Sequence, residues 1–533
     1  MNRQYQSVFT HEDTTDIPTP GGTPTPCMPD ITISCDGVEK LLKNINPHKA
    51  SGPDGISAKV LKECAVELAP LISTLFSKTL LEGKIPLDWK DANITAVFKK
   101  GDRNIAANYR PVSLTSLICK LQEHIIVSNI LDHCDNNDIL TDCQHGFRAR
   151  RSCETQLLTL VHELSSAVDS SIQTDLAILD FSKAFDRVPH RRLLRKLEHY
   201  GIRGLTLSWI ADFLSNRQQQ VLVNGAKSDP GPVVSGVPQG TVLGPLLFLL
   251  FINDLPDQLA CKTRLFADDC IVYTQIRSIR DSQKLQSDLD RLAIWEKTWG
   301  MEFHPQKCSI LSVTKAKSPK KFMYKLKGHI LENTPTAKYL GVHLTSDLNW
   351  NFHIDKITKK ANSVLGFVKR NMNNCSKETK SLAYKALIRP HVEYCCAVWS
   401  PFSAKSKHKL EMVQRRAARY ATNRYHNTSS VTSMLTDLNW NTLESRRSKS
   451  QPVMFFKILN DIVDIRASDY LTPAYGRTRS NHSKKFRLFS SRTDTFKFSF
   501  FPRTVVTWNS LPSHLAEASS LESFRLRLNS TDI

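Results

Sequence analysis

The 533-residue chain is short of the signals that mark several large protein classes. Its thirteen cysteines include no C-x-x-C pair and no Cys/His set at zinc spacing, and Cys395-Cys396 would need distant partners to ligate a metal. An odd, scattered count reads as reduced thiols inside a cell, not a disulfide framework. The N-terminus, Met1-Asn-Arg-Gln, lacks an apolar signal region. The most apolar run, Val242 to Ile252, is broken by Gly244-Pro245 and falls far short of a membrane span. No internal repeat is visible. Negative charge is scarce too: 51 acidic residues face 72 lysines and arginines, a net +21. Residues 346–533 hold 31 basic and 14 acidic residues, so 17 of the 21 excess charges lie there. A polyanionic partner is expected at that end, the plainer alternatives being a solvated basic surface or a membrane-surface patch. A chain this long exceeds one core and implies two or three domains.

What is present centres on two acidic motifs, Asp180-Phe-Ser-Lys-Ala-Phe-Asp186 and Phe266-Ala-Asp268-Asp269. The first follows Leu176-Ala-Ile-Leu179, an apolar run that reads as a buried strand. The second lies between Arg264-Leu265 and Cys270-Ile-Val-Tyr273, at the tip of a tight β-hairpin. A carboxylate ending one strand beside a pair on a hairpin makes an oxygen-ligand cluster that suits hard cations, Mg²⁺ above all. Two such ions can activate a hydroxyl and stabilise a leaving phosphate. Without a cation, three carboxylates this close would repel and raise one another's pKa values. Asp180 could instead cap the following helix, and acidic hairpin tips are often only solvated turns.

The surrounding blocks are more specific. In order they are Lys49-Ala-Ser-Gly-Pro-Asp-Gly-Ile56, Asn108-Tyr-Arg110-Pro-Val-Ser-Leu114, Ser235-Gly-Val-Pro-Gln-Gly-Thr-Val-Leu-Gly-Pro245, Trp299-Gly-Met301, Pro305-Gln-Lys307-Cys308 and Lys338-Tyr-Leu-Gly341. Together with the acidic motifs they resemble the reverse transcriptases of non-LTR (LINE-type) retrotransposons, in the jockey and chicken-repeat branches. The resemblance covers nearly everything after residue 36. It implies an α+β, right-hand polymerase fold with fingers, an antiparallel palm sheet packed on helices, and a helical thumb. It also implies RNA-directed DNA synthesis from dNTPs on an RNA template with a DNA primer or target DNA. Asp180, Asp268 and Asp269 would be catalytic and bind two Mg²⁺ ions, with Mn²⁺ as a substitute. Phe185 would be the aromatic gate that leaves no room for a 2′-hydroxyl; ignoring the motif, it is a core aromatic. Lys99 and Arg110 would hold the triphosphate, Gln239 and Gly240 would approach nucleotide or template, and Lys307 would protonate the leaving pyrophosphate. Asp186 reads as a supporting residue. Lys338, Tyr339, Leu340 and Gly341 would form a primer-supporting hairpin. His304 stands where the family often has Asn, a departure that touches the local turn.

Along the chain, residues 1–35 form a Pro/Thr-rich lead-in whose composition predicts a flexible segment. Residues 36–80 read as two helices, broken at Ser51-Gly-Pro-Asp-Gly55, that extend the fingers. Residues 81–345 hold fingers and palm, with a strand over 93–100, helices over 117–132 and 153–168, a helix stopping at Gly201, and a strand over 220–225. Residues 346–425 form a helical thumb. Ile354, Ile357, Ala361, Leu365 and Val368 share one face there, and Arg415, Arg416 and Arg419 are expected to grip nucleic acid from the exposed side of another helix. Residues 426–533 are basic and carry no derivable chemistry. The family's upstream endonuclease is expected to be missing, and the protein is expected to act within the nucleus or cytoplasm as an element ribonucleoprotein. Two other readings remain. A viral-type RNA-directed RNA polymerase shares the acidic geometry, although Phe185 and Phe-Ala-Asp-Asp argue against it. A catalytically inactive nucleic-acid-binding remnant of a truncated element is the alternative from a different class.

Overall fold

One strand, Gln173–Asp180, organises the molecule, because its two faces enter two different cores. The computed structural model describes residues 1–426, 428–474 and 482–531. The strands are β1 (Asp91–Phe98), β2 (Tyr109–Leu114), β3 (Gln173–Asp180), β4 (Arg217–Val223), β5 (Ala226–Lys227), β6 (Gly231–Val233) and β7 (Lys262–Phe266). They continue with β8 (Asp269–Ile276), β9 (Ser309–Val313), β10 (Lys325–Leu326), β11 (His329–Ile330), β12 (Glu332–Asn333), β13 (Thr336–Tyr339) and β14 (Val342–Thr345). The central sheet runs β12-β9-β3-β8-β7. It is antiparallel except at its edge, where β12 pairs parallel to β9. A second sheet runs β2-β1-β4-β5, with β6 on β4 and a parallel β1–β4 pair. β10–β11 and β13–β14 are separate hairpins.

Side chains alternate across a strand, so consecutive residues of a doubly buried strand serve opposite cores. Ala177 and Leu179 of β3, Cys270 and Val272 of β8 and Ile310 of β9 pack with helices Ala65–Glu82, Leu117–Asn136, Gly204–Leu214, Leu243–Ile252 and Ile279–Trp299. Leu176, Ile271, Tyr273, Leu311 and Val313 face the other way, onto helix Cys153–Asp169 and hairpin β13–β14. The same core takes in helices Asn351–Asn371, Ala404–Thr422, Leu443–Leu459, Phe500–Ser510 and Leu521–Asn529, so residues on both sides of position 425 share it. Of the expected C-terminal region, residues 427, 475–481 and 532–533 lie outside the described residues.

Helix boundaries follow local chemistry. Ser116 and Ser152 cap the helices starting at Leu117 and Cys153, the latter through a reciprocal Ser152–Thr155 box. The break at 51–55 is present, with helix Cys35–Lys43 before it and Ala58–Glu63 and Ala65–Glu82 after it. Helix His190–His199 stops just ahead of Gly201, whose φ is +86°.

The lead-in differs from the expectation of a flexible segment. Helix Asn2–Gln6 buries Tyr5 (4 % exposed) against Ala92, Ile94 and Val221. The segment then hydrogen-bonds along the surface, Thr10 N–H to Ser235 Oγ at 2.8 Å and Thr25 N–H to the His199 carbonyl at 2.9 Å. Glu12 accepts from the Arg191 and Arg192 amides at 2.9 and 3.0 Å, capping a helix whose own N-cap is Pro189. Composition is blind to such single anchors.

Candidate active site

β3 ends on Asp180, directly opposite Asp269, the first residue of β8. Directly opposed residues of an antiparallel pair project to the same face. Phe266 pairs with Asp269, leaving Ala267-Asp268 as a two-residue turn that opens with φ +51° at Ala267. The Asp180 carboxylate lies 3.2 Å from the Lys307 ammonium. Lys307 is placed there by the short 3-10 turn Pro305–Lys307, and the His304 amide donates to the Asp180 carbonyl at 2.8 Å.

Burial pushes the Asp268 carboxyl up, with Asp180 adding to it. Asp269 is raised to about 6 by desolvation, then by the charges of Asp268 and Asp180. Lys99 and Arg110 pull both back down. The three carboxylates are thus electrostatic neighbours, but among the described residues no three His, Cys, Asp or Glu side chains gather into a metal-holding set. This departs from the cluster expected from the sequence. Like charges held this close repel, and Asp180 neutralises itself on Lys307 instead. The donors are hard oxygens beside open solvent, and a divalent cation would relieve the repulsion that raises Asp269, so the residues fit such an ion.

The cationic side comes from the β1–β2 hairpin. Lys99 follows β1, its amide donating to the Asn108 carbonyl at 2.8 Å, and Arg110 pairs with Val97. Burial and then the Arg110 charge lower the Lys99 pKa, while Asp180 holds it up. Lys99, Arg110 and Lys307 therefore meet the acidic residues at one place.

Phe185 lies on the short helix Ala184–Arg187, entered through left-handed Lys183 (φ +52°). Its ring stacks on Phe248 at 4.4 Å and meets Phe147 edge-on at 6.3 Å. Beside it Gln239 Nε2 donates to Asp186 Oδ1 at 2.9 Å, and the Gln239 carbonyl accepts from the Ser113 amide at 2.7 Å. Gly240 has φ +110°, and a Cβ there would stand 2.6 Å from the Ser113 carbonyl oxygen. Phe185, Asp186, Gln239, Pro111 and Ser113 line a small cavity that Tyr5 and Phe9 of the lead-in also border.

Hairpin β13–β14 turns through Leu340 (φ +43°) and Gly341 (φ +83°), the positive pair of a type I′ turn. It abuts the site, since the Asp269 charge, after burial, raises the Tyr339 phenol. Tyr339 is not available to nucleic acid, however. It is 2 % exposed and accepts a hydrogen bond from Gln156. Strand alternation turns Lys338 outward and Tyr339 inward. On helix Ala404–Thr422, Arg415 and Arg416 are exposed and Arg419 is half-buried. Arg416 donates to Asn362 Oδ1 of the neighbouring helix at 3.2 Å.

Sequence reading missed one segment, Gln144-His-Gly146-Phe147. It pairs with the edge of β7, and Gln144 Oε1 accepts from the Ala267 amide at 2.9 Å. A glycine in a polar stretch just before Phe-Arg was the available signal. A Cβ on Gly146 would lie 2.4 Å from the Ala267 nitrogen.

Residues 97–344 match the family described as reverse transcriptase (RNA-dependent DNA polymerase). This chain carries a reverse transcriptase domain. The domain's match spans both acidic motifs, Lys99, Arg110, Phe185, Gln239, Lys307 and hairpin β13–β14, while Arg415, Arg416 and Arg419 lie beyond it. Three similar proteins of Drosophila melanogaster come from mobile elements. The "Probable RNA-directed DNA polymerase from transposon BS" is 28 % identical over 467 residues, 84 % of this chain and 50 % of that protein. The "RNA-directed DNA polymerase from mobile element jockey" is 28 % identical over 407 residues, 74 % of this chain and 44 % of the relative. The "Probable RNA-directed DNA polymerase from transposon X-element" is 28 % identical over 403 residues, 73 % and 44 %. The chain thus spans half or less of the length of these relatives. Among the described residues no helix is long and apolar enough to cross a membrane.

Proposed function

We propose that the chain is the RNA-directed DNA polymerase of a jockey-like non-LTR retrotransposon, extending a primer 3′-hydroxyl with dNTPs on an RNA template. The observation that carries this reading is the Asp180–Asp269 pairing across β3 and β8, set against Lys99, Arg110 and Lys307. In this reading the central sheet is the palm, β1–β2 and the helices around it the fingers, and 346–425 the thumb. Asp180, Asp268 and Asp269 would hold two divalent cations, Mg²⁺ or its substitute Mn²⁺. Bound there, the ions would supply charge stabilisation for the attacking and leaving oxygens.

The chain's own residues do the rest. Arg110 grips triphosphate oxygens by its fork, and Lys99 adds a point charge. Lys307, beside Asp180, carries an ammonium that would hold a proton next to the leaving pyrophosphate. Phe185, backed by Phe248, excludes a 2′-hydroxyl. Gly240 lets backbone come close to the base pair being formed. Its partners would be RNA template, DNA primer or target DNA, and dNTPs, within an element ribonucleoprotein in the nucleus or cytoplasm.

The alternative reading is an inactive nucleic-acid-binding remnant, which the exposed Arg415 and Arg416 would serve equally well. Primer extension by the purified chain on an RNA template, with Asp268→Asn as control, decides between them. Extension with dNTPs that the control loses supports the polymerase. A chain that binds duplex yet adds no nucleotide with Mg²⁺ or Mn²⁺ overturns it.

A further inference from the structure

The turn that bears Asp268 and Asp269 is held from outside the hairpin. Its first residue, Ala267, has φ +51°, a conformation L residues other than Asn and Asp rarely take. Such a backbone persists only where its surroundings over-determine it. Here the Ala267 amide donates to Gln144 Oε1 at 2.9 Å, and the same oxygen takes the Gly146 amide at 2.7 Å. Gln144 is 1 % exposed. Its segment is registered on β7 by two 2.8 Å bonds, His145 N–H to the Leu265 carbonyl and Leu265 N–H to the Cys143 carbonyl.

That segment is anchored in turn by Arg151, which donates to the Asp142 and Gln144 carbonyls, both at 2.8 Å. The Arg151 Nε meets Asp464 Oδ2 at 2.6 Å, and the Asp464 amide donates to the Arg150 carbonyl at 3.0 Å. Asp464 belongs to the 426–533 region, to which the sequence assigns no chemistry. A continuous chain of hydrogen bonds therefore runs from that region to the acidic turn.

We propose that Gln144 is a positioning residue for the Asp268–Asp269 turn, and that the C-terminal region fixes Gln144 through the Asp464–Arg151 ion pair. The catalytic part of this inference rests on the polymerase reading of the turn; the mechanical part does not. Gln144→Leu removes the acceptor. Gln144→Glu keeps it but replaces Nε2, which is buried without a partner among the described residues, with a second carboxyl oxygen beside Asp268 and Asp269. Asp464→Asn weakens the anchor and leaves Gln144 in place.

The test pairs hydrogen exchange of peptides covering 262–270 with steady-state primer extension. In Gln144→Leu the turn amide should exchange about tenfold faster or more, and kcat should fall about tenfold, as expected for one buried hydrogen bond. The KM for dNTP and the duplex affinity should stay within about twofold, because neither the cationic groups nor the basic helices are touched. Gln144→Glu should recover most of the exchange protection and less of kcat, because its carboxyl adds a like charge beside Asp268 and Asp269, and Asp464→Asn should show the Gln144→Leu pattern at about threefold. If Gln144→Leu fails to fold, the Asp464→Asn comparison is read in its place. Wild-type exchange in the turn of the folded variant overturns the clamp. So does an unchanged kcat where Asp268→Asn abolishes extension, and the polymerase reading then stands. A wild-type chain that never extends a primer sinks that reading instead and leaves the exchange comparison to decide the clamp.

Discussion

Phe185→Val tests sugar selection with a perturbation the fold should tolerate. The Phe185 ring is half-buried and stacked on Phe248 at 4.4 Å, with Phe147 at its edge. Loss of one aromatic stack costs about 0.5–1.5 kcal/mol. Half the burial of a Phe-to-Val truncation adds about 1 kcal/mol more. A loss near 2 kcal/mol lies within the stability of an ordinary domain, so the variant should remain folded. The functional effect should be larger in proportion. In the proposed reading the ring excludes a hydroxyl by bulk alone, and Val, four carbons smaller, opens more than enough room for that group. Discrimination should therefore fall by at least about tenfold, or 1.4 kcal/mol of differential transition-state binding. The assay is single-nucleotide extension, comparing kcat/KM for a dNTP and its rNTP. Phe248→Leu, which removes the backing but keeps the gate, should relax the ratio less. A Phe185→Val enzyme that extends with dNTPs and keeps the wild-type ratio refutes the gate.

Asp180→Asn and Asp268→Asn should each lower extension by about a thousandfold or more while duplex affinity holds; residual activity near wild type would remove them from the chemistry. Neutralising Arg415, Arg416 and Arg419 together should flatten the dependence of log affinity on log salt, by about 0.9 for each phosphate of B-form DNA that is no longer neutralised. Arg415 should contribute most, because Arg416 also serves Asn362 and Arg419 is half-buried; an unchanged slope means these arginines face only solvent. Glu12→Ala should cost about 1 kcal/mol, seen as a lower Tm and faster proteolysis of the lead-in, since it uncaps helix His190–His199. His162, with Tyr470, Phe489, Phe496 and Phe501 within 6.0 Å, has its pKa lowered to about 4 by burial. The unfolded chain then binds the extra proton between about 6.5 and 4, so stability is full above the unfolded pKa and falls with pH through that window, by up to about 1.4 kcal/mol per unit. His145 and His353 are lowered to about 4 by burial as well, so His162→Phe should reduce the slope of a urea-melt series across the window by its own share and leave theirs; an unaltered slope removes His162 from the effect.

Local patterns carried far in this chain. A strand ending at Asp180, a hairpin turning one residue earlier than expected, at Ala267-Asp268, and helices Leu117–Asn136, Cys153–Asp169 and Asn351–Asn371 all follow from periodicity and caps that neighbouring residues write. What depends on distant partners was illegible. Tyr5 and Glu12 lie in a stretch whose composition forbids a core, yet each finds one partner surface far along the chain. Gln144 has no periodic signal, and its role exists only because β7 passes beside it. The inward turn of Tyr339 follows from strand alternation, which the four-residue motif by itself does not encode. The Asp180–Lys307 pair reflects side-chain choice among charges, which spacing does not encode.

The two-faced central sheet has a consequence for synthesis. β3 is made early and helix Cys153–Asp169 covers one face of it, but the core that this helix shares with Leu176, Ile271 and Leu311 is completed only by helices reaching to Asn529. At ribosomal speed, roughly 350 residues of further chain take about 20–70 s. For that interval the side of helix Cys153–Asp169 that faces away from the sheet is left uncovered, and the contacts that close it are among the most distant in sequence. Slow, non-local closure of this kind invites capture by chaperones and makes premature stop codons costly. A chain that lost only its last helices would keep Asp180, Asp268 and Asp269 and still tend to aggregate.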